Sequence, residues 1–564
     1  MKKVRYGVLV LTTVCLTACG VKNTETSSAT DTMVVETSSE GDVNEEQKDQ
    51  SVDEAYVEDE RFAKQPDIVA ALEKEKDAHY TLENAQCIVD PFGLSPLTAV
   101  VMFETPEERK VHISVKGKDD ATTIEHTFDE YSKNHSIPVY GLYAGAENEV
   151  TITTISENGE TASKTINVVT DNLPEDISKT VVEVSKPEKM KEGLTFFDCP
   201  HINGNYFLAI DANGDIRWYL SDKSFNGSVM LTHLKNGNFI VGSGKALPDT
   251  YNNLDTAYEI TPLGELVQGY HVYGIHHDIR EESNGNLIFA ASKEGRESQN
   301  DYIVEVDRNT GEVLRNWDLL EIIPMTKYDT QPPYTGGLSN WLHNNAVWYI
   351  EDEDAFIISG RHQNMVMKFG ATDKKIKWIL SGTVGELNEK LRPYLLTPVN
   401  EDFEYPTSQH AAMQTPEGDL MLFDNRNFDV LDENGELIQD RLYSRAVRYK
   451  IDEENMTVEE VWEFGKEYGG ELYSSFVSDV DYLGEDHYLI DFGGMYKADD
   501  GSNYDHIYTA AEIKNKSKRN SVVVEVVNDE VVYKVTLTGN SQSNSYKAER
   551  KDIYQNAKEI SFAK

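Results

Sequence analysis

His277, Asn345, His410 and Ser478 are separated by 68, 65 and 68 residues, and each stands seven residues before a polar turn: Asn284-Gly285, Asp352-Glu353, Glu417-Gly418 and Glu485-Asp486. A position that recurs in phase through a repeat faces the same way in every copy, so such residues meet when the repeats share an axis. His343 lies two residues before Asn345 and, by strand alternation, faces the same side. Folding the hairpin about residues 352–353 sets Arg361 across from residues 344–345 and beside His343. The same folding sets Lys293 near His277 and Asn425 near His410, where both read as structural; a slip of one residue would turn either away.

Three imidazoles, a guanidinium and an amide, with no carboxylate cluster at metal-ligand positions, suit a compact oxyanion. Arginine makes planar, multidentate contacts to sulfate or phosphate oxygens, and a neutral imidazole is a competent nucleophile or base. Neither a metal nor a cofactor is called for. His276 and His362 read as facing away from this cluster, and His233 falls three residues out of phase with His277. The acidic turns Asp352-Glu353-Asp354 and Asp499-Asp500 lack the spacing of an EF-hand. Tyr334, Tyr405 and Tyr473 stand where a ring either stacks on an aromatic ligand or packs.

The elements that position these residues repeat every 50 to 70 residues from about 195 onward. Each unit is a strand, a polar turn, a strand ending near a Trp, a variable loop and a further hairpin: FLAIDANGDIRWYL followed by VMLTHLKNGNFIV, then YEITPLGELVQGY followed by HHDIREESNGNLIFA. Six such units without helical patterns between them predict a six-bladed β-propeller over 190–564, the sixth ending in a shorter tail. Trp218, Trp317, Trp378 and Trp462 recur at one phase and are expected to pack between blades. Period-2 runs at Leu97 to Phe103, Lys110 to Lys116 and Glu149 to Ser156 predict a β-sandwich over 85–175. A short helical segment, 61–84, precedes it. The class is therefore all-β.

Lys2, Lys3 and Arg5 followed by the apolar stretch Val8 to Leu16 form a secretory signal. It closes on Leu16-Thr17-Ala18-Cys19, which resembles the lipobox of bacterial lipoproteins. Residues 1–18 are then a signal peptide, and lipid on Cys19 anchors the chain at the outer face of the cell membrane. Residues 19–60, rich in Ser, Thr, Asp and Glu, cannot bury enough apolar surface to order and form an acidic tether. A formal net charge of −45 argues against nucleic acid and against direct docking on anionic lipid. Cys87 and Cys199 are either one disulfide or two buried thiols.

The stretches GIHHDIREESNGN, WLHNNAVWYIEDEDAFIISGRHQNMVMKF and TSQHAAMQTPEGDLMLFDNRN resemble the bacterial arylsulfate sulfotransferases. NAQCIVDPFGLSPLTAVVMFETPEERKVHISVKGKD and IPVYGLYAGAENEV look like that family's amino-terminal β-sandwich, so the resemblance runs from about residue 85 to the end. It implies a reaction independent of 3′-phosphoadenosine 5′-phosphosulfate, in which a sulfuryl group passes from an aryl sulfate donor to a phenolic acceptor through a sulfohistidine. His410 matches the family's nucleophile, and His277, His343, Asn345 and Arg361 match the groups around the transferred sulfuryl. His277, His343 or another group would take the acceptor's proton, unless the acceptor arrives ionised. Some members carry a disulfide close to the catalytic histidine, whereas this chain has no cysteine after Cys199. The family makes a homodimer plausible, while a tethered monomer is equally compatible. Two other readings of the propeller stand beside this one: a cell-surface adhesion or ligand-binding module without turnover, and a metal-dependent lactonase or phosphodiesterase.

Overall fold

Five stretches of the chain make one sheet near the amino terminus: Gln86–Val89, Ala99–Val115, Ile124–Val139, Glu147–Ser156 and Thr161–Val169. The 17-residue strand Ala99–Val115 is long enough to serve two halves. Its first part pairs with Gln86–Val89, its second with Glu147–Ser156, and Ile124–Val139 runs along both. The computed structural model describes residues 60–561 apart from 77, 202–203, 222–230, 244–245, 249, 251–252, 325–337, 428–440, 498–517 and 540–542. The expected signal peptide, Cys19, all but the last residue of the expected tether, Tyr334 and the Asp499-Asp500 turn lie outside the described residues, as does the side chain of Cys199. Cys87 is a free thiol, pushed up to about 11 by burial. The helix preceding the sheet is Glu60–Lys76, which buries Leu72 and donates from Arg61 Nη2 to Ser243 Oγ at 2.8 Å.

The rest of the chain forms six antiparallel sheets. Sheet 2 contains Thr232–His233, Phe239–Ser243, Leu254–Ile260 and Leu266–Ile275, and sheet 3 contains Ile279–Glu281, Leu287–Ala291, Tyr302–Val306 and Val313–Asp318. Sheet 4 contains Asn344–Ile350, Ala355–Gly360, Met365–Gly370 and Ile376–Leu380. Sheet 5 runs His410–Gln414, Leu420–Asp424, Arg445–Asp452 and Thr457–Phe464, with Thr397–Pro398 added in parallel outside. Sheet 6 runs Asp479–Gly484, His487–Lys497, Lys518–Val527 and Glu530–Thr538, with Lys179–Ser185 added outside. Sheet 1 joins the two ends of the domain: Ala548–Lys551 pairs with Leu194–His201, followed by Gly204–Ile210 and Ile216–Tyr219.

The sequence repeat therefore straddles the sheets. The hairpin that closes one unit supplies the first two strands of a sheet, and the strand pair that opens the next unit supplies the last two. Second strands such as LIFAA (Leu287–Ala291), AFIISG (Ala355–Gly360) and LMLFD (Leu420–Asp424) are buried at every residue. An uninterrupted buried run of this kind needs cover on both faces, which neighbouring sheets provide.

What holds neighbours together is one interaction repeated six times. An aromatic side chain on the fourth strand of each sheet donates to the turn between the third and fourth strands of the next. Trp218 Nε1 donates to Pro262 O at 2.8 Å, Trp317 Nε1 to Ala371 O at 2.7 Å, Trp378 Nε1 to Glu453 Oε1 at 2.9 Å and Trp462 Nε1 to Asp529 Oδ1 at 3.1 Å. The two sheets without a Trp at this place use tyrosine. Tyr270 Oη shares its hydrogen between Arg308 O and Glu259 Oε2, each at 3.1 Å, and Tyr533 Oη donates to Asp211 O at 3.3 Å. These links run from sheet 1 through sheet 6 and back to sheet 1, so the six sheets form a closed circuit. The amino-terminal sheet joins it through a shared apolar core that includes Val100, Ile113, Phe197 and Trp218. Buried Arg217 of sheet 1 reinforces that joint, donating to Gly141 O and Thr122 O, each at 2.7 Å.

Trp317→Phe orphans the Ala371 carbonyl in a buried joint and is expected to cost about 1–3 kcal/mol beyond its packing loss. Trp462→Phe, at a joint whose indole is partly exposed, is expected to cost less. Comparing the thermal unfolding midpoints of the two variants checks the ranking.

Candidate functional site

The inner strands of sheets 3 to 6 are each entered through a non-glycine residue with left-handed backbone: His277 at φ 53°, His343 at 51°, Ser408 at 55° and Ser478 at 86°. For an L-residue this costs roughly 1–2 kcal/mol each, and such strain clusters where a chain must aim a side chain. A second irregularity follows in sheets 4 and 5. Between Asn344 and Val347, and between His410 and Met413, the inner strand carries one residue more than its partner. These bulges break the strict alternation assumed from the sequence and re-aim the side chains beside them.

His410 is buried and lies opposite Phe423 in the register of sheet 5, which brings Asn425 to its ring. Asn425 donates both amide hydrogens to backbone carbonyls, Ser474 O at 2.9 Å and Val477 O at 3.0 Å. Its Oδ1 therefore points the other way, and His410 Nδ1 donates to it at 2.6 Å. With the hydrogen held on Nδ1, the lone pair of the neutral ring is on Nε2. Burial, followed by the charge of Arg361, pushes the His410 pKa down to about 3 against the opposing pull of Asn425.

His277 and His343 meet directly, Nε2 to Nε2, at 3.1 Å. Asn340 Nδ2 donates to His343 Nδ1 at 2.8 Å, and Asn300 Nδ2 approaches the same atom at 3.4 Å. The other nitrogen of His277, Nδ1, is 2.6 Å from Tyr546 Oη. The Tyr546 ring in turn stands edge-on to His410, with centroids 6.1 Å apart. His362 stacks on His343 at 4.5 Å and donates from Nδ1 to Asn340 O at 2.6 Å. His276 donates from Nε2 to Ala291 O at 3.0 Å. Burial lowers the pKa of every one of these imidazoles, to about 4 for His276 and about 3 for His362, and well below the ordinary value for His277 and His343.

Arg361 follows the second strand of sheet 4, and its backbone N–H donates to His343 O at 3.2 Å. The side chain is buried, and its positive charge lowers the pKa of His277, His343, His362 and His410 alike. Asn345 donates from Nδ2 to Gln409 O at 2.8 Å, which ties sheet 4 to the residue before His410. The cluster thus has one permanent cation and five imidazoles that are neutral at pH 7.

Among the residues singled out from the sequence, His277 and His343 touch, Arg361 adjoins His343 through the backbone, and Asn345 is linked to the segment carrying His410. Lys293 is elsewhere: it is half exposed and pairs with Asp318 at 3.5 Å rather than approaching His277. His233 pairs with Glu549. Asn425, read as structural, orients the His410 ring. Tyr405 packs against Phe403, and partly buried Tyr473 donates to Asn427 Oδ1 at 3.5 Å. In the Asp352-Glu353-Asp354 turn, Glu353 pairs with Lys368, and Asp354 accepts from Tyr349 Oη at 2.9 Å. Among the described residues no group of three or more His, Cys, Asp or Glu is arranged to hold a metal ion. Tyr546 is the residue that repeat counting passed over. It stands two residues before the inner strand of sheet 1, as His277 does in sheet 3, but no hairpin turn follows that strand to mark its phase, because its partner comes from residues 194–201.

The all-β circuit thus brings together an oriented neutral histidine and a buried arginine, groups suited to a small anion. Residues 179–547 match the family model described as Arylsulfotransferase (ASST), and residues 86–171 match the Arylsulfotransferase Ig-like domain. The chain belongs to the arylsulfotransferase family and is an aryl sulfotransferase. It is 26% identical over 546 aligned positions to arylsulfate sulfotransferase AssT of Lelliottia amnigena, covering 78% of this chain and 90% of that protein. The figures are the same for arylsulfate sulfotransferase AssT of Escherichia coli O6:H1. Among solved structures, the periplasmic gluconolactonase of Pseudomonas aeruginosa aligns over 78% of this chain and 99% of its own, at 9% identity and a TM-score of 0.29.

The His410 ring is expected to remain neutral, with its hydrogen on Nδ1, from pH 8 down to about 4, because its pKa of about 3 lies below that window. Asn425→Asp puts a carboxylate at the Nδ1 hydrogen and should raise that pKa by about 1–3 units. Nitrogen-15 titration of labelled histidines in both proteins reads the two outcomes directly.

Proposed function

We propose that this chain moves a sulfuryl group from a phenolic sulfate ester to a phenol by a ping-pong cycle through an N-sulfo form of His410, on a six-bladed propeller held outside the cytoplasm. The observation that carries this reading is the His410–Asn425 pair. Two backbone carbonyls fix the Asn425 amide, the amide fixes the Nδ1 hydrogen, and Nε2 is left as the nucleophile. The low pKa keeps that lone pair available at neutral pH.

In the first half-reaction the Nε2 lone pair forms a bond to sulfur, and the electron pair of the sulfur–oxygen ester bond leaves on the phenolate. His410 retains its Nδ1 hydrogen, so the sulfated ring is an imidazolium, whose positive charge Asn425 Oδ1 stabilises by accepting from Nδ1. An aspartate there would stabilise the imidazolium and raise the free ring's affinity for a proton at that lone pair; an amide orients the ring without that cost. In the second half-reaction the acceptor, which reaches the site as phenolate after giving its proton to solvent, attacks the same sulfur; the nitrogen–sulfur bond breaks and its electron pair returns the ring to its neutral form. Arg361 supplies the charge that holds the sulfuryl oxygens, and the second amide hydrogen of Asn345 is suited to an adjacent one. No step draws on a nucleotide.

The charge count also favours sulfate over phosphate esters. A sulfate monoester carries one negative charge, which Arg361 matches. A phosphate monoester above its second pKa of about 6 brings nearly two, and the neutral imidazoles supply nothing to balance the second.

The lipobox ending at Cys19 belongs to the same reading, since a nucleotide-activated sulfate donor would be confined to the cytoplasm while esters and phenols are available outside. Incubation with an aryl sulfate alone should add one sulfuryl group to the intact mass of the wild type and none to His410→Ala. An unmodified wild type that also releases no phenol would refute the reading. Cys19→Ala should move the protein from the membrane fraction to the soluble fraction, and membrane retention by that variant would remove the lipid anchor from the account.

A further inference from the structure

The contacts among the site's polar groups have a direction. Asn253 Nδ2 donates to Asn300 Oδ1 at 2.7 Å, which turns the Asn300 amide nitrogen toward His343 Nδ1 at 3.4 Å. Asn340 Nδ2 donates to the same His343 nitrogen at 2.8 Å. With Nδ1 accepting, His343 carries its hydrogen on Nε2 and donates it to His277 Nε2 across 3.1 Å. His277 must then carry its hydrogen on Nδ1, and donates it to Tyr546 Oη across 2.6 Å. The phenol oxygen of Tyr546 is thereby an acceptor, and its own hydrogen has to point away from His277. Tyr546 is buried and edge-on to His410, and its backbone N–H is fixed by Asp198 Oδ1 at 2.8 Å.

We propose that Tyr546 is a catalytic residue whose hydroxyl donates a hydrogen bond to the bridging phenolic oxygen, where charge appears as the sulfur–oxygen bond breaks. This rests on the sulfotransferase reading and adds to it the group that receives the leaving oxygen. Electron bookkeeping is that of the first half-reaction: the nitrogen–sulfur bond forms, the bridging pair goes to oxygen, and the Tyr546 hydrogen strengthens its hold on that oxygen without leaving tyrosine. The upstream donors polarise one another, so the last hydroxyl is a stronger donor than an isolated tyrosine. In the return half-reaction the acceptor oxygen occupies the same place, by microscopic reversibility. A donor at this point is worth most when the phenolate is most basic, because more charge then resides on its oxygen in the transition state.

The test is phenol release from a series of substituted phenyl sulfates by wild type and Tyr546→Phe. The loss caused by the substitution should grow along the series, from about tenfold or less for a nitrophenyl ester to about 100-fold or more for unsubstituted phenyl sulfate. An equal loss at every member, or none, overturns the assignment. Nitrogen-15 spectra of the wild type decide the matter independently of how the variant folds. A hydrogen on His277 Nδ1 supports the direction of the chain, and a bare Nδ1 overturns it. Failure of the underlying function would look different, since the wild type itself would then neither release phenol nor gain a sulfuryl group.

Discussion

The structure depends on closure of the six-sheet circuit. Each sheet is too small to bury its second strand alone, and each becomes stable only between two neighbours. A single polar hydrogen on Trp218, Tyr270, Trp317, Trp378, Trp462 or Tyr533 reaches across each joint to the next sheet. The aromatic body supplies apolar area, and the N–H or O–H satisfies an acceptor in the adjoining turn. Closure also joins the chain's distant ends, for sheet 1 takes its inner strand from residues 548–551 and the rest from residues 194–219.

Closure determines the electrostatics of the site. With inner strands on all sides, the imidazoles are desolvated and stay neutral, while Arg361 keeps its charge because a guanidinium does not lose its proton in proteins. Desolvation and Arg361 act in the same direction on His277, His343, His362 and His410. The result is a buried cluster in which Arg361 is charged and the surrounding imidazoles are neutral, a combination that an open surface in water would not maintain. Amides rather than carboxylates hold the rings: Asn425 at His410, and Asn340 with Asn300 at His343. A carboxylate at either place would have favoured the imidazolium.

Much of this was legible beforehand. The phase of His277, Asn345 and His410 relative to their turns marked them as inner-strand residues, and Arg361 followed from folding one hairpin. The four tryptophans were legible as joints because Trp is rare and recurs in phase. Tyr270 and Tyr533 were not, because a tyrosine among 30 carries no such signal. Asn425 was placed near His410 by register but could not be given a role, since only Ser474 O and Val477 O decide which way its amide points. The bulges after Asn344 and His410 left no mark in composition, and the alternation rule missed them for that reason.

By itself, the sequence determined the all-β class, the six-fold repeat and the residue types available for chemistry, because side-chain periodicity and turn composition are local and survive without a fold. The tertiary structure alone decided which hydrogens sit on which nitrogens, which strand completes sheet 1, and that Tyr546 joins His277 beside His410. Those outcomes depend on contacts between residues far apart in the chain, 269 positions for Tyr546 and His277 and 357 for Lys551 and Leu194. A contact of that span comes into being only when the circuit closes.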